Sequence, residues 1–181
     1  MDSDPIKSTI YKYNCGSWAS LLSGGHATYG GARTYEPYNG KGSGVRGYFD
    51  LNNEEIIHGG ADHFKHIHTF FADTSLSLAG LRPSDEMAGN NPLTAKVMTD
   101  DNVMIVYLAN PDNDEPGKAN AASANATYTI TFPLGTWYLR WFNPQTGAWL
   151  DNSEPLITGG ESHSGIAPFA QDAVLLATRA E

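Results

Sequence analysis

The sequence has 181 residues, of which 40% are hydrophobic and 11% aromatic, and its formal net charge is −9. This length and composition predict a packed domain or two small ones, and they argue against disorder. The eleven Lys and Arg are scattered without a basic stripe, which argues against nucleic acid as a partner. Cys15 is the single cysteine, so no internal disulfide can form. No apolar run reaches the eighteen or so residues of a membrane span, so we expect no membrane partner.

A first helix is predicted before the glycine-rich stretch LLSGGHATYGG. Its buried face would consist of Ile10, Trp18, Leu21 and Leu22, which recur at helical spacing. The pair Gly24–Gly25 would end this helix, because glycine adopts the left-handed conformation that closes many helices.

A second helix is predicted from about Ala61 to Ala72. Phe64, Ile67, His68 and Phe71 fall at i, i+3, i+4 and i+7, the spacing of a face that packs on a core. The segment between the helices is long, rich in Gly and aromatic. Loops of that length in a compact domain are usually functional or disordered. Its tyrosines, Tyr35 and Tyr38 among them, are therefore candidates to contact a ligand.

The pattern changes after the Pro- and Gly-containing segment Arg82–Pro92, which has the composition of a linker. Short apolar or alternating runs follow, separated by turn residues, and these predict an all-β sandwich over residues 93–181. The runs 95–99 and 102–109 predict a hairpin. The predicted buried residues are Val103, Ile105, Tyr107, Ile130, Trp137, Leu139, Val174 and Leu176.

Residues 136–142 place bulky side chains on both faces of one predicted strand. Trp137, Leu139 and Trp141 share one face, and Tyr138, Arg140 and Phe142 share the other. Aromatic rings can stack on sugars, and Arg pairs with carboxylates. At least partial burial of both faces in a sandwich core explains the pattern without a ligand, and we favour that interpretation.

The histidines His63, His66 and His68 raise the question of a metal site. His63 and His66 have the spacing of two ligands on one helical face. The sequence offers no third ligand beside them, so we interpret the three as packing or surface residues and expect no metal and no cofactor. The carboxylates nearest the long loop are Glu36, Asp50, Glu54 and Glu55, and one of them could be a general acid. Their spacing does not place two of them on rigid elements at the separation that a catalytic pair requires.

Three segments resemble one enzyme family. SWASLLSGGHATYGG, residues 17–31, resembles the segment aYwallsGaaGhtYG of the apiosidase-like (β/α)8 glycoside hydrolases. HGGADHFKHIHTFFADT resembles the last helix of their barrel. WFNPQTGAW followed by DAVLLAT resembles the end of the small domain after the barrel, often labelled a collagen-binding domain. The sequence departs from the family at Asn143, where Asp is frequent, and at Gln145, where Arg is frequent.

The resemblance implies an α+β fold. Residues 1–85 would form the C-terminal end of a (β/α)8 barrel, its last helix–strand–helix, and residues 93–181 an all-β sandwich domain. HATYGG would be the last barrel strand. Its end would face the active-site mouth, so His26 and Tyr29 would bind sugar without being the catalytic acid or nucleophile.

The resemblance also implies a limit on activity. A complete barrel takes about 250 residues, whereas only residues 1–85 precede the linker. The paired carboxylates belong to earlier strands in this family, so we expect a C-terminal portion of a polysaccharide-acting protein that is inactive alone. A non-catalytic carbohydrate- or matrix-binding β-sandwich module is the alternative. Expected partners are a poly- or oligosaccharide and the rest of the barrel as a separate chain. The resemblance implies secretion to the periplasm or outside the cell, although residues 1–11 lack the apolar stretch of a signal peptide.

Overall fold

The structure is a computed structural model that describes residues 16–26, 54–89, 94–110, 124–150 and 154–180. These residues form two α-helices, a short 3-10 helix and nine strands, a mostly-strand composition that is consistent with the predicted α+β class, while the barrel end stays a prediction. The helices are α1 (residues 16–22) and α2 (Glu54–Thr74), and the 3-10 helix is Asp85–Met87. The strands are β1 (Arg82–Pro83), β2 (Ala95–Thr99), β3 (Val103–Leu108), β4 (Thr127–Thr131), β5 (Thr136–Asn143), β6 (Ala148–Trp149), β7 (Glu154–Thr158), β8 (Ser162–Ile166) and β9 (Ala173–Arg179).

The strands form two antiparallel sheets. The larger has the order β1-β2-β3-β9-β5-β6, with β7 also paired to β5, and the smaller consists of β4 and β8. The hairpin predicted over residues 95–109 is confirmed, because β2 pairs with β3 from Ala95 opposite Leu108 to Thr99 opposite Met104. The Asp100 carboxylate closes its turn by accepting the backbone N–H of Asn102 and of Val103, both at 2.7 Å.

One core lies between the two sheets. Trp137, Leu139 and Trp141 of β5 point into it and meet Ile130 of the small sheet. All four side chains are at most 5% exposed. The prediction that this face of β5 is core, rather than a sugar-stacking surface, is therefore confirmed.

A second core lies between the opposite face of the large sheet and the helices. Trp18 of α1 and Phe70 of α2 pack there with Tyr107 of β3 and Phe142 of β5. The Trp18 ring stacks on Tyr107 with centroids 6.0 Å apart and meets Phe70 edge-on at 5.4 Å. The large sheet is thus buried on both faces, which explains the continuous apolar runs of β3 and β9.

The predicted buried residues divide between these two cores. Seven of the eight are buried, whereas Val103 is half-buried at the start of β3. The residues that face the helices rather than the small sheet are Ile105, Tyr107, Val174 and Leu176. A single sandwich core would have left these four exposed.

Helix α1 ends as its sequence predicts. Gly24 has φ +79, its N–H bonds to Leu21 O at 3.1 Å, and the Gly25 N–H bonds to Ser20 O at 2.9 Å. This pair of bonds is the Schellman arrangement, which requires a left-handed residue. Trp18 and Leu22 are fully buried. Ile10, the fourth residue of the predicted face, lies outside the described residues.

Helix α2 is longer than predicted, and its buried face is rotated. His63 and Phe70 are its most buried described side chains, whereas His68 is exposed. The assignment of His68 to the packed face is therefore wrong. The buried stripe follows His63, Ile67 and Phe70, at i, i+4 and i+7, because Phe70 fills the gap between Trp18 and the sheet. No helix in the described ranges is long and apolar enough to cross a membrane.

The segment predicted as a linker is structured where it is described. Arg82 and Pro83 pair with the end of β2. The Asp85 carboxylate then accepts the Val97 N–H at 2.9 Å and the Lys96 ammonium at 2.6 Å. These contacts attach the segment to β2, and the division into residues 1–85 and 93–181 stays a prediction.

Candidate functional site

His26 is the one predicted sugar-binding residue within the described part of the chain. It follows the two glycines that end α1, and its side chain is exposed. Tyr29, Tyr35 and Tyr38 lie outside the described residues, so the clustering of these four residues stays a prediction.

Two of the three histidines considered as metal ligands, His63 and His66, lie together where α2 contacts the β5–β6 turn. We call this the helix–turn contact, and it consists of His63, His66, Pro144 and Gly147. The Nδ1 of His66 lies 3.0 Å from the carbonyl oxygen of Pro144, and the Nδ1 of His63 lies 3.4 Å from the same oxygen. A carbonyl only accepts hydrogen bonds. The geometry therefore assigns the proton of each neutral ring to Nδ1 and leaves Nε2 as an acceptor.

The turn has the shape that this contact requires. The side-chain oxygen of Asn143 accepts the N–H of Gln145 at 2.9 Å and of Thr146 at 3.3 Å. Asparagine and aspartate both make this bond, so Asn143 serves here where the resembled family often has Asp. Gly147 has φ +71, and a Cβ at that position would lie 2.5 Å from the Cδ2 of His66.

His63 is electrostatically distinct from its neighbours. Burial lowers its pKa from the usual 6.5; the Pro144 hydrogen bond raises it, the nearby His66 lowers it further, and Asp62 raises it. The two imidazole rings meet edge-on with centroids 5.9 Å apart. Within the described ranges no group of three or more His, Cys, Asp or Glu is arranged to hold a metal. The helix–turn contact joins α2 to the large sheet through the two hydrogen bonds to Pro144 O.

Trp149 extends the joint on the other side of the turn. Its indole N–H donates to the Asp73 carboxylate at 3.0 Å, and its ring stacks on Phe70 with centroids 5.2 Å apart. The Arg140 guanidinium lies 4.2 Å from the same ring, which is cation–π geometry. Sequence reasoning missed Asp73, because nothing in its local pattern separates it from a solvated helix residue.

The second face of β5 is only partly core. Phe142 is fully buried under the helices, whereas Tyr138 is 48% exposed and Arg140 is exposed. The prediction that both faces are at least partly buried holds, since the first face is core and the second is buried at Phe142 but not at Tyr138 and Arg140. A tyrosine ring and a guanidinium are thus presented on one side of the sheet.

The sequence analysis did not identify two buried polar groups, the Asp172 carboxylate and the Trp18 indole N–H. Asp172 is fully buried; it accepts the Tyr107 hydroxyl at 2.5 Å and the Asn110 N–H at 3.2 Å, and so joins the ends of β3 and β9. The indole Nε1 of Trp18 is buried and has no hydrogen-bond partner in the structure as described. Of the four candidate carboxylates, Glu36 and Asp50 lie outside the described residues, and Glu54 and Glu55 begin α2.

No protein-family model and no curated protein matches the sequence. Solved structures that share the fold include two glycoside hydrolases. One is a glycoside hydrolase with a TM-score of 0.61 and 14% identity, matched over 93% of this chain and 37% of its own. The other is a glycoside hydrolase family 5 protein from Bacteroides vulgatus, with a TM-score of 0.64 and 12% identity, matched over 94% of this chain and 36% of its own. The chain therefore spans little more than a third of either structure.

Proposed function

We propose that this chain is the C-terminal portion of a glycoside-hydrolase-like protein acting on polysaccharide, and that it is inactive alone because the catalytic carboxylates lie upstream. The observation that carries the proposal is the pair of fold matches, which take in almost all of this chain but little more than a third of two glycoside hydrolases. At 12–14% identity these matches concern the fold. The reaction and the substrate rest on the resemblance of residues 17–31 and 141–149 to the enzyme family.

Three of the described carboxylates hold contacts between elements, and the proposal gives them no catalytic role. Hydrolysis of a glycosidic bond generally uses two carboxyl groups, about 5–5.5 Å apart in retaining enzymes and about 6.5–9.5 Å apart in inverting ones. Asp73 bonds to Trp149, Asp85 bonds to Lys96 and Val97, and Asp172 bonds to Tyr107. Each of these three groups connects two parts of the fold, and the proposal places the catalytic pair upstream of them.

The proposal gives His26, Tyr29, Tyr35 and Tyr38 the role of sugar contacts. The exposure of His26 beyond the end of α1 is compatible with that role. The remainder of the barrel, as a separate chain or as a longer form of this one, would provide the acid and the nucleophile. Secretion to the periplasm or outside the cell belongs to the same proposal, because polysaccharide substrates are found there.

Activity assays test the proposal. The purified chain is expected to release no sugar above background from a panel of aryl glycosides and plant polysaccharides. Turnover that survives repurification but is lost in Glu36→Gln, Asp50→Asn or Glu54→Gln would show that the chain carries its own catalytic group. Repurified protein of each variant, checked for a native melting curve, is the control for misfolding.

The alternative function is a non-catalytic binding module for glycan or extracellular matrix, and one observation favours it. Tyr138 and Arg140 are exposed on the same face of β5 and could stack on a sugar ring and pair with a uronate. Affinity electrophoresis in gels containing soluble polysaccharide separates the two functions. Retardation lost in Tyr138→Ala but kept in His26→Ala supports the module, whereas the reverse supports the barrel site.

A further inference from the structure

The small sheet has one edge that nothing described covers. β8 pairs with β4 from Ser162 opposite Thr131 to Ile166 opposite Thr127. Among the described residues, no strand pairs with the other side of β8. A free strand edge presents a row of N–H and C=O groups to any extended chain that reaches it.

The register identifies the outward-facing groups. The Ala167 N–H bonds to Ala126 O at 2.7 Å, which makes that pair a hydrogen-bonded one. Hydrogen-bonded and non-hydrogen-bonded pairs alternate along an antiparallel ladder. The backbone groups of Ser162, Ser164 and Ile166 therefore point away from β4, toward the open edge.

Three other strand edges, those of β1, β4 and β7, have features that block further pairing. β1 ends on Pro83, and the Asp85 carboxylate occupies the Val97 N–H. The outer edge of β4 is met by Ala88, which bridges to Ile130, and by the Gly89 N–H, which bonds to Thr129 O at 2.8 Å. β7 contains Pro155, which has no N–H to offer.

β8 carries none of these devices. Its sequence, Ser-His-Ser-Gly-Ile, contains no proline, lysine or acidic residue. Ile166 is 67% exposed at its end. The chain has a net charge of −9, so two copies repel each other at most of their surfaces. β8 contains no Asp, Glu, Lys or Arg, so two copies that met at this strand would experience little like-charge repulsion there.

We propose that β8 pairs with β8 of a second copy of this chain, antiparallel and centred on Ser164. In that register Ser164 faces Ser164 of the second copy, and Ser162 faces its Ile166. Because the outward groups recur at every second residue on both sides of Ser164, this two-fold arrangement satisfies all of them and produces a four-stranded sheet. The pairing does not depend on the proposed function.

Sedimentation equilibrium tests the association. The wild-type chain is expected to shift with concentration from one 19.5 kDa chain toward the mass of two. Ser164→Pro is expected to abolish the shift, because it removes an N–H that β4 does not use. Ser164→Ala, which changes the side chain and keeps the N–H, is the matched control and is expected to associate like the wild type. A wild-type chain that remains monomeric at every accessible concentration overturns the proposal.

Cysteine cross-linking tests the register and remains informative if Ser164→Pro does not fold. In a Cys15→Ser background, Ser164→Cys places two thiols opposite each other at a Cα separation of about 5.5 Å, within the range of a disulfide. Ser162→Cys places its thiol four residues, about 13 Å, from the thiol of the second copy. Mild oxidation is expected to give covalent dimers of the first variant only. Equal yields from both variants, or dimers from neither, overturn the register.

Discussion

His63 and His68 lie five positions apart on α2, yet one is buried and the other is exposed. The difference follows from the helical repeat, because five residues rotate the side chain by well over a quarter turn away from the core. Burial of His63 removes hydration and lowers its pKa by more than the hydrogen bond to Pro144 O raises it, so the neutral form is favoured in the folded state.

The titration of His63 gives a prediction with a definite sign. Its folded pKa lies below the unfolded value of 6.5, so the unfolded chain binds this proton more tightly. The stabilisation is complete above about pH 6.5 and is lost as the pH falls through the lowered pKa. We expect His63→Asn, which keeps a donor near the Nδ1 position, to reduce the fall in melting temperature between about pH 8 and about pH 5.

His68→Asn is the matched control for that experiment, since His68 is an exposed histidine of the same helix. If His63→Asn and His68→Asn have the same pH profile as the wild type, burial of His63 does not couple protonation to folding.

Among the contacts between secondary-structure elements, the packing of α2 on the β5–β6 turn depends on Gly147. Gly147 is the position where the turn needs a left-handed residue and where the His66 ring approaches the backbone. Both requirements arise from the same turn, in which Gly147 N–H bonds to Asn143 O at 2.9 Å. The sequence predicts the turn from NPQTG, and it predicts a helix over residues 61–72. It does not predict that this helix packs on this turn.

We predict that Gly147→Ala destabilises the protein by more than the strain alone. A left-handed conformation costs a non-glycine residue roughly 1–2 kcal/mol, and the added Cβ also displaces the His66 ring from Pro144 O. Gly80→Ala is the control, because Gly80 has φ +98 and no atom within 4 Å of the added Cβ. Urea unfolding of both variants measures the difference. Equal losses would show that the His66 contact contributes nothing to stability.

At the scale of the whole molecule, the large sheet is shared by two cores. Trp18 and Phe70 bring the helices into the core that contains Tyr107 and Phe142. On the opposite face, β5 and β9 pack against the small sheet. A sheet covered on both sides links the helices and the strands energetically, even though the sequence changes character between residues 82 and 92.

We therefore predict one cooperative unfolding transition for helices and strands. Far-ultraviolet circular dichroism and tryptophan fluorescence are expected to give the same midpoint. Phe70→Ala is expected to lower that midpoint in both signals, by about 3–5 kcal/mol in free energy of unfolding. Two separate midpoints, or a loss confined to the helical signal, would instead support independent units at residues 1–85 and 93–181.

The local structure of several elements can be predicted from the sequence alone. The strands β2, β3, β4, β5 and β9 follow from apolar or alternating runs and turn residues, whereas β6, β7 and β8 were not predicted. The end of α1 follows from Gly24 and Gly25. These features depend on residues close together in the chain, so propensity and periodicity suffice to predict them. The buried face Trp137, Leu139 and Trp141 is predictable for the same reason, since a strand alternates with a period of two.

Which elements pack against one another became clear only from the tertiary structure. An apolar run such as that of β3 specifies burial but not what covers each face, so the layer of helices over Ile105 and Tyr107 could not be foreseen. His63 rather than His68 faces the core because of the position of Pro144, 81 residues away from His63 along the chain. Asp172 is likewise buried because Tyr107 lies across the sheet. Contacts of such long sequence separation arise from packing of the whole chain, and no local pattern encodes them.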